Sequence, residues 1–352
     1  MFGLGSKGNY PYATSRVRSK KSLLLTRESY PKLLNMDLNE IGRFLGETQY
    51  SAEMTELASK YEGVNLIELG TSRNLARTYG NVLSFTKGEL RLMVSSYLGR
   101  WDIWNLKTVI RGKHAGASLD DIREDLVPAG QLSEETLNEL LALDSVTEVL
   151  ENVKRLTGIQ IPDDIAHSVQ STGKLSTVED FLDKAYYDRL VASINPASRP
   201  EMLLLAYVRK EIDATNLLTL LKLKREGLGP DRIAPFLIAG GDELPMSVLE
   251  RLLPLEGYDQ LVQELASFSF YEEIKDALEK AKVSESLDEV SLSMKKYQVR
   301  QAEKFSHLYP LSVLPIIDYM IRKKIEVDNI RIIARCKESG LDPDTIKRLL
   351  VV

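Results

Sequence analysis

Four residue types recur together three times in this chain at one spacing. Asp102-Ile103-Trp104-Asn105 is followed by Arg111 and Ile122, Asp213-Ala214-Thr215-Asn216 by Lys222 and Ile233, and Glu326-Val327-Asp328-Asn329 by Arg335 and Ile346. The asparagines are offset by 111 residues (105 to 216) and then by 113 (216 to 329). On a helix, an acid and an amide at i and i+3 share one face. Such a pair can act as a helix-start cap or as a polar contact between helices. Alternatively, the three clusters with their cations Arg111, Lys222 and Arg335 form a symmetric ring facing a partner on a central axis. Enzymes rarely triplicate a catalytic dyad, so the repetition favours architecture or recognition over catalysis.

The remaining reactive residue types do not converge. Asp102, Asp213 and Glu326 are the carboxylates an all-α metal enzyme of the isoprenoid-synthase kind would use, yet such enzymes need acids densely spaced on facing helices. His114, His167 and His307 lie far apart, with no second His or Cys at metal-ligand spacing. Asp120-Asp121 and Asp163-Asp164 read as carboxylates at the positive end of a helix dipole. Gly3-Leu4-Gly5-Ser6-Lys7-Gly8 spells a dinucleotide fingerprint without the preceding strand that fingerprint needs, and reads as a loose terminus. Cys336 is the one cysteine, which excludes a disulfide framework and suits a reducing compartment. No catalytic, cofactor or metal site is expected. A basic stripe, Arg16, Arg18, Lys20 and Lys21 beside Leu23-Leu24-Leu25, is either a solvated helix face or a contact to an acidic partner or a membrane headgroup zone.

The elements that must hold these residues are helical. Leu90, Met93, Val94, Tyr97, Leu98, Trp101, Trp104 and Val109 follow steps of three and four, as do Leu203, Leu204, Tyr207, Val208, Ile212, Leu217, Leu218 and Leu221. Alternating strand patterns are scarce, and breakers such as Pro128, Gly130, Pro162, Pro196, Pro200, Gly240-Gly241, Pro254, Pro310 and Pro343 fall where helices should end. The chain therefore reads as all-α. Leu137–Leu141 matches Leu249–Leu253 at an offset of 112, and Pro31–Leu34 resembles the segment ending at Leu141 at an offset of 107. These registers divide the chain at 1–130, 131–242 and 243–352, with an additional helix near 10–25 before the first copy. A period this long makes each copy a domain rather than one hairpin of a solenoid, whose repeats run roughly 20 to 50 residues. Three similar domains suggest quasi-threefold closure.

The totals agree with a water-exposed helical protein of 352 residues: net charge −5, 43% hydrophobic, 28% charged. The charge argues against a nucleic-acid binder. The longest apolar run, Met202–Val208, is far short of the roughly 20 residues a membrane helix needs.

Tyr10-Pro11-Tyr12-Ala13-Thr14-Ser15-Arg16-Val17-Arg18, Tyr97-Leu98 with Asp102 to Asn105, and Asn329-Ile330-Arg331-Ile332-Ile333-Ala334-Arg335 resemble the C subunit of the archaeal-type (A-type) ATP synthase, a family related to the d subunit of vacuolar-type ATPases. Thr14-Ser15 and Cys336 depart from residues common in that family. The resemblance implies a funnel of three similar helical domains without a catalytic or nucleotide site. It implies a socket between the central shaft subunits and the cytoplasmic loops of the membrane rotor ring, held peripherally on the cytoplasmic side of the cell membrane. Neither a nucleic acid nor a small-molecule substrate is implied as a partner. The rival reading is a free α-helical scaffold for soluble partners.

Overall fold

A computed structural model describes residues 7–352 except 196 and 285, and Gln170 by its backbone alone. The glycines and serine at 3–6, the loose-terminus segment, and the breaker at 196 lie outside the described residues. In chain order the helices begin with α1 (Tyr10–Lys21), α2 (Ser29–Asn35), α3 (Leu38–Gly46), α4 (Ser51–Leu57), α5 (Gly63–Phe85), α6 (Gly88–Leu98) and α7 (Arg100–Ala115). There follow α8 (Leu119–Asp125), α9 (Glu134–Ala142), α10 (Val146–Thr157), α11 (Asp163–Thr172), α12 (Ser176–Ala192) and α13 (Arg199–Arg225). The last are α14 (Pro230–Ile233), continued by a 3-10 turn, α15 (Met246–Leu252), α16 (Tyr258–Leu265), α17 (Tyr271–Ser284), α18 (Asp288–Leu308), α19 (Leu314–Glu338) and α20 (Pro343–Leu349). The all-α expectation holds: no strand occurs among the described residues.

Local chemistry sets many of the ends. Asp37 and Glu40 form a reciprocal capping box at α3, and Ser118, Ser133, Ser145, Ser198 and Asp342 cap α8, α9, α10, α13 and α20. Asp120-Asp121 and Asp163-Asp164 do sit in the first turns of α8 and α11. At α7 the chain leaves the helix through Gly116 at φ +69°, a conformation costly for any residue with a Cβ. The second and third copies carry the repeated motif on one long helix each, α13 and α19. The first copy spells that helix in two pieces, α6 and α7, divided at Gly99, whose amide still bonds the carbonyls of Ser95 and Ser96.

The chain divides into two compact units: residues up to 186 with 319–350 and 352, and residues 187–318 with 351. In the first unit α3, α4 and α5 pack together, and α2 lies against α20, so residues from both ends of the chain share one body. The buried hydroxyl of Tyr79 on α5 donates to the carbonyl of Met320 on α19 at 2.7 Å. In the second unit α18 packs on α17 and α13. Its buried core joins Leu217, Leu221, Ile233 and Leu237 with Leu244, Leu249, Leu265 and Met294. The repeat boundary after 242 thus lies inside a continuous core, and the sequence repeat is offset from the packing by one long helix. Apolar burial of this kind contributes about 25 cal/mol per Å² removed from water.

Candidate functional site

The repeated polar residues lie on one face of each motif helix, where they take up backbone groups of loops and of helix C-terminal turns. The second copy shows it most fully. The Asn216 amide donates from Nδ2 to the carbonyl of Ile238, and its Oδ1 accepts from the Ile238 amide, both at 2.8 Å. One turn earlier, Asp213 accepts from the amides of Glu243 and Leu244 at 2.9 and 2.8 Å. Two turns later, Lys224 donates to the carbonyls of Leu253 and Leu255 at 2.7 and 2.5 Å. These non-helical segments cannot satisfy those groups themselves, and buried backbone groups left unpaired are costly.

The first copy repeats the bonds. Asn105 exchanges two hydrogen bonds of 2.9 Å with Val127, Asp102 accepts from the amides of Gln131 and Leu132, and Lys113 donates to the carbonyls of Leu141 and Leu143. In the third copy the bonds run back to the beginning of the chain. Glu326 accepts from the Leu25 amide, and Lys337 donates to the Leu34 carbonyl at 2.7 Å. Leu25, Leu132 and Leu244 stand at offsets of 107 and 112, as do Leu34, Leu141 and Leu253. Each long helix therefore docks on the corresponding segment of the next copy, and the third docks on the first. Asn329 is buried and bonds the Tyr30 hydroxyl.

The acids differ for a steric reason. A Cβ on Gly241 would collide with the Asp213 carboxylate and come within 2.6 Å of the Leu244 carbonyl, and one on Gly130 would collide with Asp102. The short aspartates need a glycine there so that the backbone can approach. Gly130 stands two residues before Leu132 and Gly241 three before Leu244; the residues two and three before Leu25 are Leu23 and Ser22, and the longer Glu326 reaches the Leu25 amide without a glycine at either.

Glu326 also anchors the most polar buried cluster in the first unit. It accepts from the Tyr50 hydroxyl at 2.6 Å, from Gln49 at 3.0 Å and from Lys323 at 3.0 Å, and the Lys323 ammonium lies 3.9 Å from the centre of the Tyr50 ring. Lys323 is fully buried, and that burial pulls its pKa down to about 8 against the opposing pull of Glu326. Burial, then the charge of Glu326, holds the Tyr50 phenol well above its ordinary range. Lys210, one turn before Asp213, occupies the same register as Lys323 and pairs with Asp242 and Glu243 at 2.7 and 2.6 Å. Burial opposes its charge, but those two carboxylates outweigh it and raise its pKa. Asp213, Asp242 and Glu243 are close enough to hold a cation, and the Lys210 ammonium fills that role.

The predicted cations lie at the surface. Arg111 forms a two-pronged pair with Glu179 at 2.6 Å, and Arg335 forms the equivalent pair with Glu68. Glu68 and Glu179 are themselves 111 residues apart. Lys222 is exposed. On α1, Arg16 donates to the Tyr12 hydroxyl at 2.7 Å and covers the Phe85 ring, while Arg18 is exposed and Lys20 and Lys21 are half-buried. Sequence reasoning missed Lys113, Lys224 and Lys337, although they share the 111- and 113-residue register two positions beyond the predicted cations. It also missed Lys210 and Lys323; the first copy has Gly99 at their place. Nothing local to Gln49 or Tyr50 marks them as partners of Glu326.

Residues 13–349 match the model of the family described as ATP synthase (C/AC39) subunit. The chain is 39% identical over 352 residues to the C subunit of the A-type ATP synthase of Methanococcoides burtonii, covering 99% of this chain and 96% of that one. It is 40% identical to the C subunit of Methanosarcina mazei, covering 98% and 93%, and 34% identical to that of Archaeoglobus fulgidus, covering 99% and 98%.

Three outcomes test the reading of these clusters. Asn216→Ala strands a buried amide and carbonyl at Ile238 and should cost about 2–4 kcal/mol in urea unfolding, against less than about 0.5 kcal/mol for the exposed Lys222→Ala. Lys323→Met leaves Glu326 buried without its cation and should cost about 3–5 kcal/mol, part of which Glu326→Gln added to it restores. Burial raises the Asp213 pKa from 3.8 to about 6, against its two backbone hydrogen bonds. The folded protein therefore binds that proton more tightly than the unfolded chain, so the stability from this group is full below 3.8 and declines as pH rises to about 6. The stability of wild type relative to Asp213→Asn, read from denaturation midpoints, should fall as pH rises from about 4 to about 6; a gap independent of pH refutes the assignment.

Proposed function

The chain belongs to the ATP synthase (C/AC39) subunit family, and on that premise we propose that it is the non-catalytic central-stalk subunit of an A-type rotary ATP synthase. It acts as a socket between the central shaft subunits and the cytoplasmic loops of the membrane rotor ring, so that ion transport and ATP synthesis, or the reverse, are coupled. It works from the cytoplasmic side as a peripheral component; no helix among the described residues is long and apolar enough to cross a membrane. The three copies, divided near 130 and 242, are arranged as a quasi-threefold funnel.

One observation carries the reading beyond the family name. The triplicated acids and asparagines, which could have been reactive or ligand-binding, are buried except for the half-buried Asp102; the three acids and the first two asparagines are spent on backbone groups, and Asn329 bonds the Tyr30 hydroxyl. That repetition supports a part whose task is to hold shape under load. Packed interiors interlocked by buried hydrogen bonds deform little, and a torque-bearing coupler requires that stiffness. The cations Arg111, Lys222 and Arg335 lie at the surface, the two arginines within pairs to Glu179 and Glu68, and these surface clusters are the contacts we assign to partner subunits, with the basic stripe at Arg16, Arg18, Lys20 and Lys21 as a further contact.

Because residues 319–350 share a unit with the N-terminal region, the test omits the whole chain rather than truncating it. Membrane vesicles carrying the complex without this chain should retain ATP hydrolysis by the catalytic head while losing hydrolysis-driven ion uptake. Full ion uptake in its absence removes the socket role. Failure of the chain to purify with the complex at all favours a free scaffold instead.

A further inference from the structure

The motif helix runs unbroken through Lys210 in α13 and Lys323 in α19, but at the matching place in the first copy it stops and restarts at Gly99. The turn there is tight. The Gly99 amide is shared between the carbonyls of Ser95 and Ser96 at 3.1 and 3.2 Å. The Gly99 carbonyl takes the Asp102 amide at 3.1 Å and the Ile103 amide only at 3.5 Å. These three-residue spacings are those of a 3-10 turn, which inside an α-helix is a common form of hinge. A side chain would oppose the turn, because a Cβ on Gly99 would lie 3.2 Å from the Ser96 carbonyl oxygen.

A helix of the second copy straps this joint. α12 runs antiparallel along α7, with Glu179 on Arg111 at 2.6 Å, Asp183 on Lys107 at 2.7 Å and Tyr186 on Arg100 at 3.0 Å. The last of these contacts continues across the break. The Tyr186 hydroxyl donates to the Tyr97 carbonyl of α6 at 3.0 Å, and both rings are buried. Arg100, the first residue of α7, lies with its guanidinium 3.7 Å from the centre of the Tyr97 ring and donates to the same carbonyl at 3.2 Å. Side chains from two helices thus hold a carbonyl at the point where one helix passes into the next. Such bonds can be released singly, whereas helical backbone bonds form and break cooperatively with the turn around them.

We infer that Gly99 is a hinge in the motif helix of the first copy and that Tyr186 is its latch. With the Tyr186–Tyr97 bond made, α6 is fixed against α7; with it released, α6 swings on the glycine. Compliance in the repeated module is thereby concentrated in one copy, since α13 and α19 carry lysine at that place and run through it. The device belongs to the folded chain and does not depend on the rotary assignment. Hydrogen exchange of the full-length chain, read by mass spectrometry on peptides covering 97–104, 208–217 and 321–330, tests it. Tyr186→Phe removes the latch and keeps the ring. It should speed exchange at 97–104 by about tenfold, the scale of one lost hydrogen bond, with the other two peptides and the melting temperature unchanged. Gly99→Ala presses the Ser96 carbonyl back towards α-helical spacing. It should slow exchange at 97–104 and, added to Tyr186→Phe, cancel most of the acceleration. Unchanged exchange in Tyr186→Phe, acceleration spread equally over all three peptides, faster exchange in Gly99→Ala, or an undiminished effect in the double variant overturns the inference.

Discussion

The structure depends on one constraint: irregular backbone cannot be buried unless something satisfies its amides and carbonyls. In this chain a long helix does so by presenting an acid, an asparagine and a lysine along one face. The asparagine matches a whole peptide unit, the acid takes amides, and the lysine takes carbonyls. Each buried group of this kind contributes little while satisfied and costs about 1–3 kcal/mol when stranded. The clusters consequently specify which segment sits where more than they add to overall stability.

Repetition makes that specification transitive. Leu25, Leu132 and Leu244 each meet the acid of a different long helix, and for Leu25 the helix comes from the far end of the chain. A contact made between neighbouring copies along the sequence is thus made again between copies at opposite termini. The third contact carries the heaviest polar load, because Glu326 serves Leu25, Gln49, Tyr50 and a fully buried lysine together. A buried ion pair is a poor source of net stability, but removing either half strands a charge at a cost of about 3–5 kcal/mol.

The hydrogen bonds of the motif helices are directional, and those of Asn105, Asn216 and Asp213 are buried. Surface pairs such as Arg111 with Glu179 add little to this, being solvent-screened.

By itself the sequence determined the helical class, because steps of three and four run almost throughout, and the register of the repeat, because acid, asparagine and cation recur at fixed offsets. It also set many helix starts, since Ser118, Ser145 and Asp342 act through groups only a few residues away. The resemblance carried by Tyr10–Arg18 and Asn329–Arg335 agreed with the family match. Only the tertiary structure decided what the motif binds. Val127, Ile238 and Leu25 offer backbone groups, and backbone groups are the same in every residue, so no side-chain pattern announces them. Only the fold could place Tyr50 beside Glu326 across 276 residues, or carry the core of the second unit through the repeat boundary at 242. Periodicity is a local property that a reader of the sequence can count, whereas which copy a helix docks on is set by the path of the whole chain.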